Sequence, residues 1–259
     1  MTMLTPGSLL SLDWYKTHEG REMIMAIMQR NMHRRKTFGL LEKPSFPPHL
    51  MPEECRYKIF LVGRSGVGKT STVAKLAGNE VPQVHSETPG IQTSLVYWPA
   101  KIIHLNKVVM FQLQFWDAGE NALKKFDHVL PACVERVDAL LFLFSFVDKS
   151  SFEDLPQQLS RFTNPGDDTC KIVMGTKFDL HAHSEITQRE IRDFEHQWNI
   201  PILRIRNVPD YQQNKTKTDL NEVAPLLNTI CEYLWQRDLI LAGKYNEGAL
   251  KPDVKISFC

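Results

Sequence analysis

The segment at residues 63–70 has the residue types and spacing of a phosphate-binding loop. It reads GRSGVGKT and fits the pattern GxxxxGK[ST]. Glycines let successive backbone N–H groups converge on phosphate oxygens, and a helix beginning at the loop adds the positive end of its dipole. In this pattern Lys69 reaches the β- and γ-phosphates and the Thr70 hydroxyl ligates Mg²⁺. The residues predicted to cradle phosphates are Ser65, Gly66, Val67, Gly68, Lys69, Thr70 and Ser71.

The sequence around this loop predicts the strand–loop–helix context that such a loop requires. A strand is predicted at 57–62 and a helix at 69–77. Further along, near-continuous apolar runs alternate with helical patterns, which indicates βαβ units around a mostly parallel sheet. The other predicted strands are 93–98, 108–116, 139–147, 171–175 and 200–206, and the other predicted helices are 151–162, 187–198 and 220–241. We therefore expect a doubly wound α/β fold with a six-stranded sheet and helices on both faces.

Two of the predicted helices carry residues suited to N-terminal capping. Ser151 is followed by Asp154, and Thr187 is followed by Glu190. In a capping box, the hydroxyl accepts the N–H of the third helical residue, whose carboxylate reaches back to the cap. We expect both pairs to begin their helices.

Three further segments carry residues that complete a nucleotide site. They are GTKFD at 175–179, WDAGE at 116–120 and ETPG at 87–90. In their order along residues 56–241, these segments and the loop at 63–70 resemble the motifs of the Ras superfamily of small GTPases, with Rab-like and Rem-like traits. The resemblance implies the P-loop small-GTPase fold and binding of GTP or GDP with Mg²⁺.

The segment at 175–179 resembles the NKxD motif that reads guanine. There Asp179 accepts two hydrogen bonds, from guanine N1–H and from the exocyclic amine, a pair that adenine does not offer. The stem of Lys177 is expected to pack on the base. Thr176, which stands where the family has asparagine, is expected to read guanine together with Lys177 and Asp179. The family's SAK-type loop aligns near 206–207 without a side-chain match, and we expect the backbone N–H of Asn207 to meet the guanine O6.

The same resemblance assigns the two switches. Asp117 is expected to hold Mg²⁺ through water, the N–H of Gly119 to contact the γ-phosphate, and Glu120 replaces the family's water-orienting glutamine. Thr88 resembles the first-switch threonine that ligates Mg²⁺ when the γ-phosphate is present. The predicted metal ligands are thus Thr70, Thr88 and Asp117, and the predicted catalytic residues are Lys69, Gly119 and Glu120.

Three departures from the family pattern predict slow hydrolysis. Ser65 replaces a glycine beside the γ-phosphate and narrows the space for an arginine finger, which is worth about 10³–10⁵ in rate. Glu120 cannot orient water as a neutral amide does, and the segment between Asp117 and Gly119 is one residue short. We expect a slow GTP-binding switch. The alternatives are a GTP-locked scaffold without relevant turnover and a P-loop kinase or ATPase, against which Asp179 argues.

Within the superfamily, residues 116–128 and 141–156 resemble the Rem- and Rab-like GTPases of the ciliogenesis and planar polarity effector group. The resemblance implies a monomeric GTPase that joins a hetero-complex through GTP-dependent protein effectors. It also implies a role in ciliogenesis, planar polarity and vesicle or cargo delivery, at the cilium base.

Composition bounds the remaining possibilities. With 42% hydrophobic and 24% charged residues, the chain can bury a globular core, and a net charge of +1 gives no reason to expect nucleic acid. The five cysteines are scattered without a CxxC pair, which favours a reducing compartment. No apolar run approaches the roughly 18 residues of a membrane helix, and we expect no targeting segment in the first residues, because they lack basic residues and a long apolar core. We expect a cytoplasmic protein with a weak or no direct membrane anchor.

Cys259 ends the chain outside any CaaX box, which favours an unmodified tail over lipidation.

The chain divides by composition into three parts. Residues 1–54 are predicted to be an N-terminal extension with a short helix near 20–33 and a proline-rich linker. Residues 55–245 form the small-GTPase domain, and 246–259 a tail. The methionines at 23–32 either offer an adaptable partner-binding face or pack on the domain, and the sequence leaves both open.

Overall fold

The computed structural model describes residues 6–29, 51–82, 84, 86–119, 129–163, 166–207 and 220–243. Within these residues the strands are β1 Glu53–Val62, β2 Ile91–Ile102, β3 Lys107–Ala118, β4 Ala139–Ser145, β5 Cys170–Thr176 and β6 Ile202–Arg204. The α-helices are α1 His18–Gln29, α2 Lys69–Leu76, α3 Val129–Val134, α4 Lys149–Glu153, α5 Leu155–Phe162, α6 Gln188–Trp198 and α7 Leu220–Leu241. Short 3₁₀ helices lie at Trp14–Lys16 and Phe178–His183.

The strands form one six-stranded sheet in the order β2-β3-β1-β4-β5-β6. Strand β2 is antiparallel to β3, and every other neighbouring pair is parallel. All of β4 is buried, as expected of a parallel strand covered on both faces. The predicted doubly wound, mostly parallel sheet is therefore confirmed.

Helices cover both faces of this sheet. One face carries Ile59 and Leu61 of β1 and packs in a cluster with apolar residues of α2 and α7. The other face carries Phe60 and packs in a second cluster with residues of α4, α5 and α6. Alternate side chains of a strand point to opposite faces, so β1 contributes to both clusters and forms the centre of the core. In the part of the chain that the structure describes, no helix is long and apolar enough to cross a bilayer.

The predicted helix at 151–162 is divided into α4 and α5. Pro156 lies in the first turn of α5, where its missing N–H leaves no bond to the carbonyl four residues earlier. The predicted cap of Ser151 with Asp154 is wrong, because Asp148 caps α4 by accepting the N–H of Ser151. The other predicted cap is confirmed: Thr187 and Glu190 form a reciprocal capping box at the start of α6.

The segment before the predicted domain packs into the domain core. Leu9 and Leu10 are fully buried, and Leu10 forms an antiparallel bridge with Ile102 at the end of β2. The buried carboxylate of Glu232, on α7, accepts hydrogen bonds from the backbone N–H groups of Gly7, Leu9 and Leu10, at 2.8–3.2 Å. Residues 7–10 therefore extend the sheet edge rather than forming a separate appendage.

Further contacts continue this attachment through the first helices. The side-chain amide of Asn228 donates to the carbonyl of Leu12 at 2.8 Å and accepts from the indole N–H of Trp98 at 2.8 Å. In α1, Met23 is buried whereas Met25 is 55% exposed. The helix thus packs on the domain through one side. The proline-rich linker up to residue 50 and the tail at 246–259 lie outside the described residues.

Candidate functional site

The loop at 63–70 joins β1 to α2, in the context predicted from the sequence. Helix α2 begins at Lys69, and its N-cap Gly68 has a left-handed φ of 99°. The Lys69 side chain is only 7% exposed, and its ammonium donates to the carbonyl of Gly63 at 2.8 Å and to that of Arg64 at 3.0 Å. The lysine is therefore held against the loop by the loop's own backbone.

Gly68 allows the close approach of two other segments. A Cβ atom at this position would lie 3.3 Å from Asn207 Nδ2 and 3.6 Å from Thr176 Cβ. The left-handed φ adds a cost of roughly 1–2 kcal/mol for any residue with a side chain. Glycine thus lets the end of β5 and Asn207 approach the phosphate loop.

The three predicted metal ligands come together at one point. The hydroxyl of Thr70 donates to Asp117 Oδ2 at 2.5 Å and lies 3.0 Å from the hydroxyl of Thr88. Thr88 in turn lies 3.4 Å from the same carboxylate oxygen. Asp117 is 3% exposed, and its Oδ1 atom is buried without a partner among the described residues. This oxygen-only set with an unmatched carboxylate oxygen fits Mg²⁺, a hard cation bound by oxygen.

The strand register explains this convergence. The antiparallel pairing of β2 with β3 sets Gln92 opposite Asp117, which brings the start of β2 to the end of β3. Because β1 and β3 are parallel, the loop after β1 lies at the same edge as Asp117. Thr70 is in the first turn of the helix that follows this loop, so all three oxygens meet beside it.

Gly119 continues the ladder between β2 and β3 into the site. Its N–H donates to the carbonyl of Gly90 at 3.0 Å. A Cβ atom at Gly119 would lie 2.1 Å from the carbonyl oxygen of Thr88. This backbone arrangement therefore leaves no room for a side chain at position 119. The expected contact of this N–H with a γ-phosphate remains a prediction, and Glu120 lies outside the described residues.

The predicted guanine-reading residues occupy different environments. Thr176 is fully buried, and its hydroxyl lies 2.5 Å from the carbonyl of Val67 and 3.0 Å from that of Phe144. A hydroxyl has one proton, which goes to either carbonyl, so Thr176 braces the phosphate loop from β5. The direct base contacts expected of this segment then rest on Lys177 and Asp179.

The other two positions lie near this brace. Lys177 has a left-handed φ of 54°, and Asp179 Oδ1 is buried without a partner among the described residues. The side-chain amide of Asn207 donates to the hydroxyl of Thr72 at 3.0 Å, which ties the loop after β6 to α2. The predicted role of the Asn207 backbone N–H stays a prediction.

A cavity of about 350 Å³ opens above the phosphate loop. The residues predicted from the sequence that line it are Ser65, Gly66, Gly68, Lys69, Thr70, Ser71, Thr88, Gly119 and Lys177. The cavity is also lined by Glu87 and Pro89, which flank Thr88 in the segment 87–90, and by residues that no sequence motif indicated, namely Pro82, Val84, Ser86 and Gln92. These belong to the connection between α2 and β2 or to the start of β2. Their position in the same long loop as Thr88 is the signal that could have found them.

Comparison with known proteins gives a consistent result. The family model described as "Ras family" matches residues 58–218. The chain is 49% identical over 242 residues to ciliogenesis and planar polarity effector 2 of Mus musculus, and 47% identical over 243 residues to that of Homo sapiens. Each alignment covers 92% of this chain and 93% of the relative. GTP-binding protein REM 2 of Homo sapiens is 29% identical over 138 residues, which are 52% of this chain and 38% of the relative.

Proposed function

This chain belongs to the Ras family of small GTPases, and on this premise we propose that it is a slowly hydrolysing molecular switch that binds GTP with Mg²⁺. The observation that carries the proposal is the convergence of Thr70, Thr88 and Asp117 beside the phosphate loop. A first-switch threonine that meets the loop threonine and a buried carboxylate links the position of the loop before β2 to the nucleotide. This link is what a switch requires.

Different side chains bind different parts of the nucleotide and its metal ion. Lys69 and the loop amides hold the phosphates, Lys177 packs on the base, and Asp179 selects guanine. Thr70, Thr88 and Asp117 provide the oxygens for Mg²⁺, which when bound neutralises phosphate charge. Thr176 keeps the loop against β5 through Val67.

Three features of the chain support slow turnover. Ser65 places a side chain at the cavity beside the predicted γ-phosphate position. Glu120 replaces a neutral amide with a charge. The segment after Asp117 is short, and the N–H of Gly119 is engaged by the carbonyl of Gly90. Each feature weakens a contribution on which fast GTPases depend, namely space for an arginine finger, water orientation or a γ-phosphate contact.

Nucleotide competition followed by single-turnover hydrolysis tests this proposal. We expect GTP and GDP, but not ATP at comparable concentration, to displace a fluorescent guanine nucleotide. We expect an intrinsic rate no faster than the ~5 × 10⁻⁴ s⁻¹ of Ras itself. Displacement by ATP would favour the kinase or ATPase alternative, and a rate well above that value would remove the claim of slow turnover.

We further propose a cellular role from the names of the relatives. Proteins called ciliogenesis and planar polarity effector 2 are similar over nearly the whole chain, beyond the segment of the family match. On this basis the chain acts with protein effectors in ciliogenesis and planar polarity. The family resemblance of residues 116–128 and 141–156 extends this proposal to cargo transport and to the cytoplasm at the base of the cilium. The binding of these partners depends on GTP.

Affinity purification from ciliated cells distinguishes the proposed GTP-dependent switch from the alternative of a scaffold without relevant turnover. The full chain loaded with GTP is compared with Thr70→Asn, which weakens Mg²⁺ and GTP binding. We expect a set of partners to be lost with the variant, and a tagged chain to be found at basal bodies. Identical partners with GTP, with GDP and without nucleotide would instead support the scaffold, and a tag absent from basal bodies would contradict the location.

A further inference from the structure

Arg64 is the one variable position of the phosphate loop with a long charged side chain, and this side chain is held by the helices after β4. Its Nε atom donates to Asp154 Oδ2 at 2.9 Å, and a terminal nitrogen donates to the hydroxyl of Ser150 at 2.6 Å. Asp154 joins α4 to α5, and Ser150 lies in α4. A single arginine therefore bridges the loop and this helix pair with two charge-assisted bonds, which are stronger than neutral ones.

The acceptor side of this bridge is itself fixed in place. The hydroxyl of Ser150 accepts from Arg64 and donates to Asp148 Oδ1 at 2.6 Å. Asp148 is the N-cap of α4. The hydroxyl of Ser150 and, more weakly, the charge of Arg64 hold the pKa of Asp148 below its ordinary value. Arg64 therefore binds a preformed helix start rather than a mobile acceptor.

The backbone of Arg64 is bound on its other side by the phosphate-binding lysine. The ammonium of Lys69 donates to the carbonyl of Arg64 at 3.0 Å. The residue that follows, Ser65, lines the nucleotide cavity. The guanidinium thus fixes from outside the same peptide that Lys69 contacts from inside.

We propose that Arg64 is a positioning residue for nucleotide binding, which acts by clamping the phosphate loop to the start of α4 and α5. The clamp sets the place of the Arg64 carbonyl and therefore of the Lys69 ammonium and of the turn at Ser65. Without it, the turn gains conformations in which the lysine and the loop amides no longer converge on phosphate. This inference rests on the proposed binding of a guanine nucleotide and adds the residue that preorganises the loop for it.

The test measures the dissociation of fluorescent GDP from the full chain. Arg64→Ala is expected to raise the dissociation rate about fivefold, in line with the loss of a half-exposed ion pair and its hydrogen bonds. Arg64→Lys is expected to give an intermediate rate, because an ammonium keeps the charge but lacks the planar fork. The thermal unfolding midpoint without nucleotide should change little in both variants, which separates positioning from a general loss of structure.

A double-mutant cycle with Asp154→Ala tests whether Arg64 acts on nucleotide dissociation through its ion pair with Asp154. Asp154→Ala removes the ion pair but leaves the bond of Arg64 to Ser150, so it should raise the rate less than Arg64→Ala. The double variant should dissociate about as fast as Arg64→Ala alone. Lys149→Ala, in α4 beside Ser150, removes an exposed ion pair with Glu190 of α6. It is the matched control and should leave the rate unchanged. Wild-type rates in Arg64→Ala, or effects that multiply in the double variant, would overturn the inference. A wild-type chain that binds no guanine nucleotide would contradict the proposed function instead.

Discussion

At the scale of single residues, Asp117 concentrates the electrostatics of the site. Its carboxylate is buried, with one oxygen bound by Thr70 and the other without a partner among the described residues. A buried charge raises the free energy of the fold unless donors or a cation meet it. The unmatched oxygen therefore indicates that a ligand completes this site.

The first prediction concerns this charge. Asp117→Asn keeps the shape and an acceptor for Thr70 but removes the negative charge that attracts Mg²⁺. We expect the Mg²⁺ concentration for half-maximal retention of GTP to rise about 10–100-fold. This is the usual effect of changing a residue that acts on a metal through the ligands bound directly to it. Titration of Mg²⁺ against the release of a fluorescent GTP analogue measures the change. Asp167→Asn, in an exposed loop, is the control, and equal curves for both variants would exclude the role of Asp117.

The second prediction concerns the space at Gly119. Gly119→Ala places a methyl group within 2.1 Å of the carbonyl oxygen of Thr88, so the loop before β2 must move and Thr88 leaves Thr70 and Asp117. We expect GTP affinity to fall at least about tenfold, the factor that a lost charge-assisted contact represents. Isothermal titration with GTP measures it.

Gly90→Ala is the matched control for Gly119→Ala. Its methyl group meets no described atom within 4 Å, but its φ of 77° carries backbone strain. It should therefore lower stability by about 1 kcal/mol and leave GTP affinity nearly unchanged. If the two variants bind GTP equally, the contact between Gly119 and Thr88 does not position the first switch.

At the scale of elements, the capping box of α6 shows how local sequence sets a helix start. Thr187 accepts the N–H of Glu190, and Glu190 accepts the N–H of Thr187, at 3.2 and 2.7 Å. Hydrogen bonds from the hydroxyl and the N–H of Thr187, and then from Lys149, lower the pKa of Glu190 from its ordinary 4.5 to about 2. A depressed pKa in the folded state stabilises the fold above pH 4.5, and this stabilisation is lost as the pH falls towards 2.

The third prediction follows from that pKa. Thr187→Ala removes the cap and is expected to lower the free energy of unfolding by about 1 kcal/mol near neutral pH. In the variant, the pKa of Glu190 returns towards its ordinary value. The difference in free energy of unfolding between wild type and variant should therefore be smaller at pH 3.5 than at pH 6. Urea unfolding at both values measures it. Asp193→Ala, which removes an exposed ion pair with Arg189 in α6, should show no such narrowing.

The start of α4 shows why a helical region can be predicted from the sequence with the wrong cap residue. Ser151 has a suitable side chain, but Asp148 lies three residues earlier and accepts its N–H. The hydroxyl of Ser151 accepts instead from the N–H of Ser145 at the end of β4. A capping pattern identifies the region in which a helix begins, whereas competition among neighbouring acceptors decides the residue.

At the scale of the whole molecule, the N-terminal segment is part of the domain. Composition separates residues 1–54 from the rest, yet Leu9, Leu10, Tyr15 and Ile24 belong to the same core cluster as α7. In the sequence these residues are marked only by their apolar character, and no motif indicates that they pack on the domain. The hydrogen bonds that hold Leu9, Leu10 and Leu12 are made by Glu232 and Asn228, more than two hundred positions away in the chain.

The fourth prediction tests this attachment. Glu232→Ala leaves buried backbone N–H groups of residues 9 and 10 without their acceptor, and should lower the free energy of unfolding by about 2–3 kcal/mol. Glu232→Gln keeps an acceptor and should cost less. Chemical denaturation measures both, with the exposed Glu185→Ala as control. Wild-type stability in Glu232→Ala would mean that the N-terminal segment does not contribute to the fold.

The sequence by itself determined the features that depend on neighbouring residues. The phosphate loop at 63–70, the helix after it, the apolar strands and the capping box of α6 are local patterns whose physics is complete within a few residues. The order of motifs along the chain also indicated the family and the kind of nucleotide, because each motif carries its own chemistry.

Only the tertiary structure decided how distant segments meet. The pairing of β2 with β3 and of β3 with β1 brings Thr70, Thr88 and Asp117 to one point. Packing also assigned Thr176 to bracing the loop, Arg64 to the helix after β4, and residues 7–10 to α7. Contacts between segments far apart in the chain depend on strand register and on which polar groups burial leaves in need of partners. No single stretch of sequence contains that information.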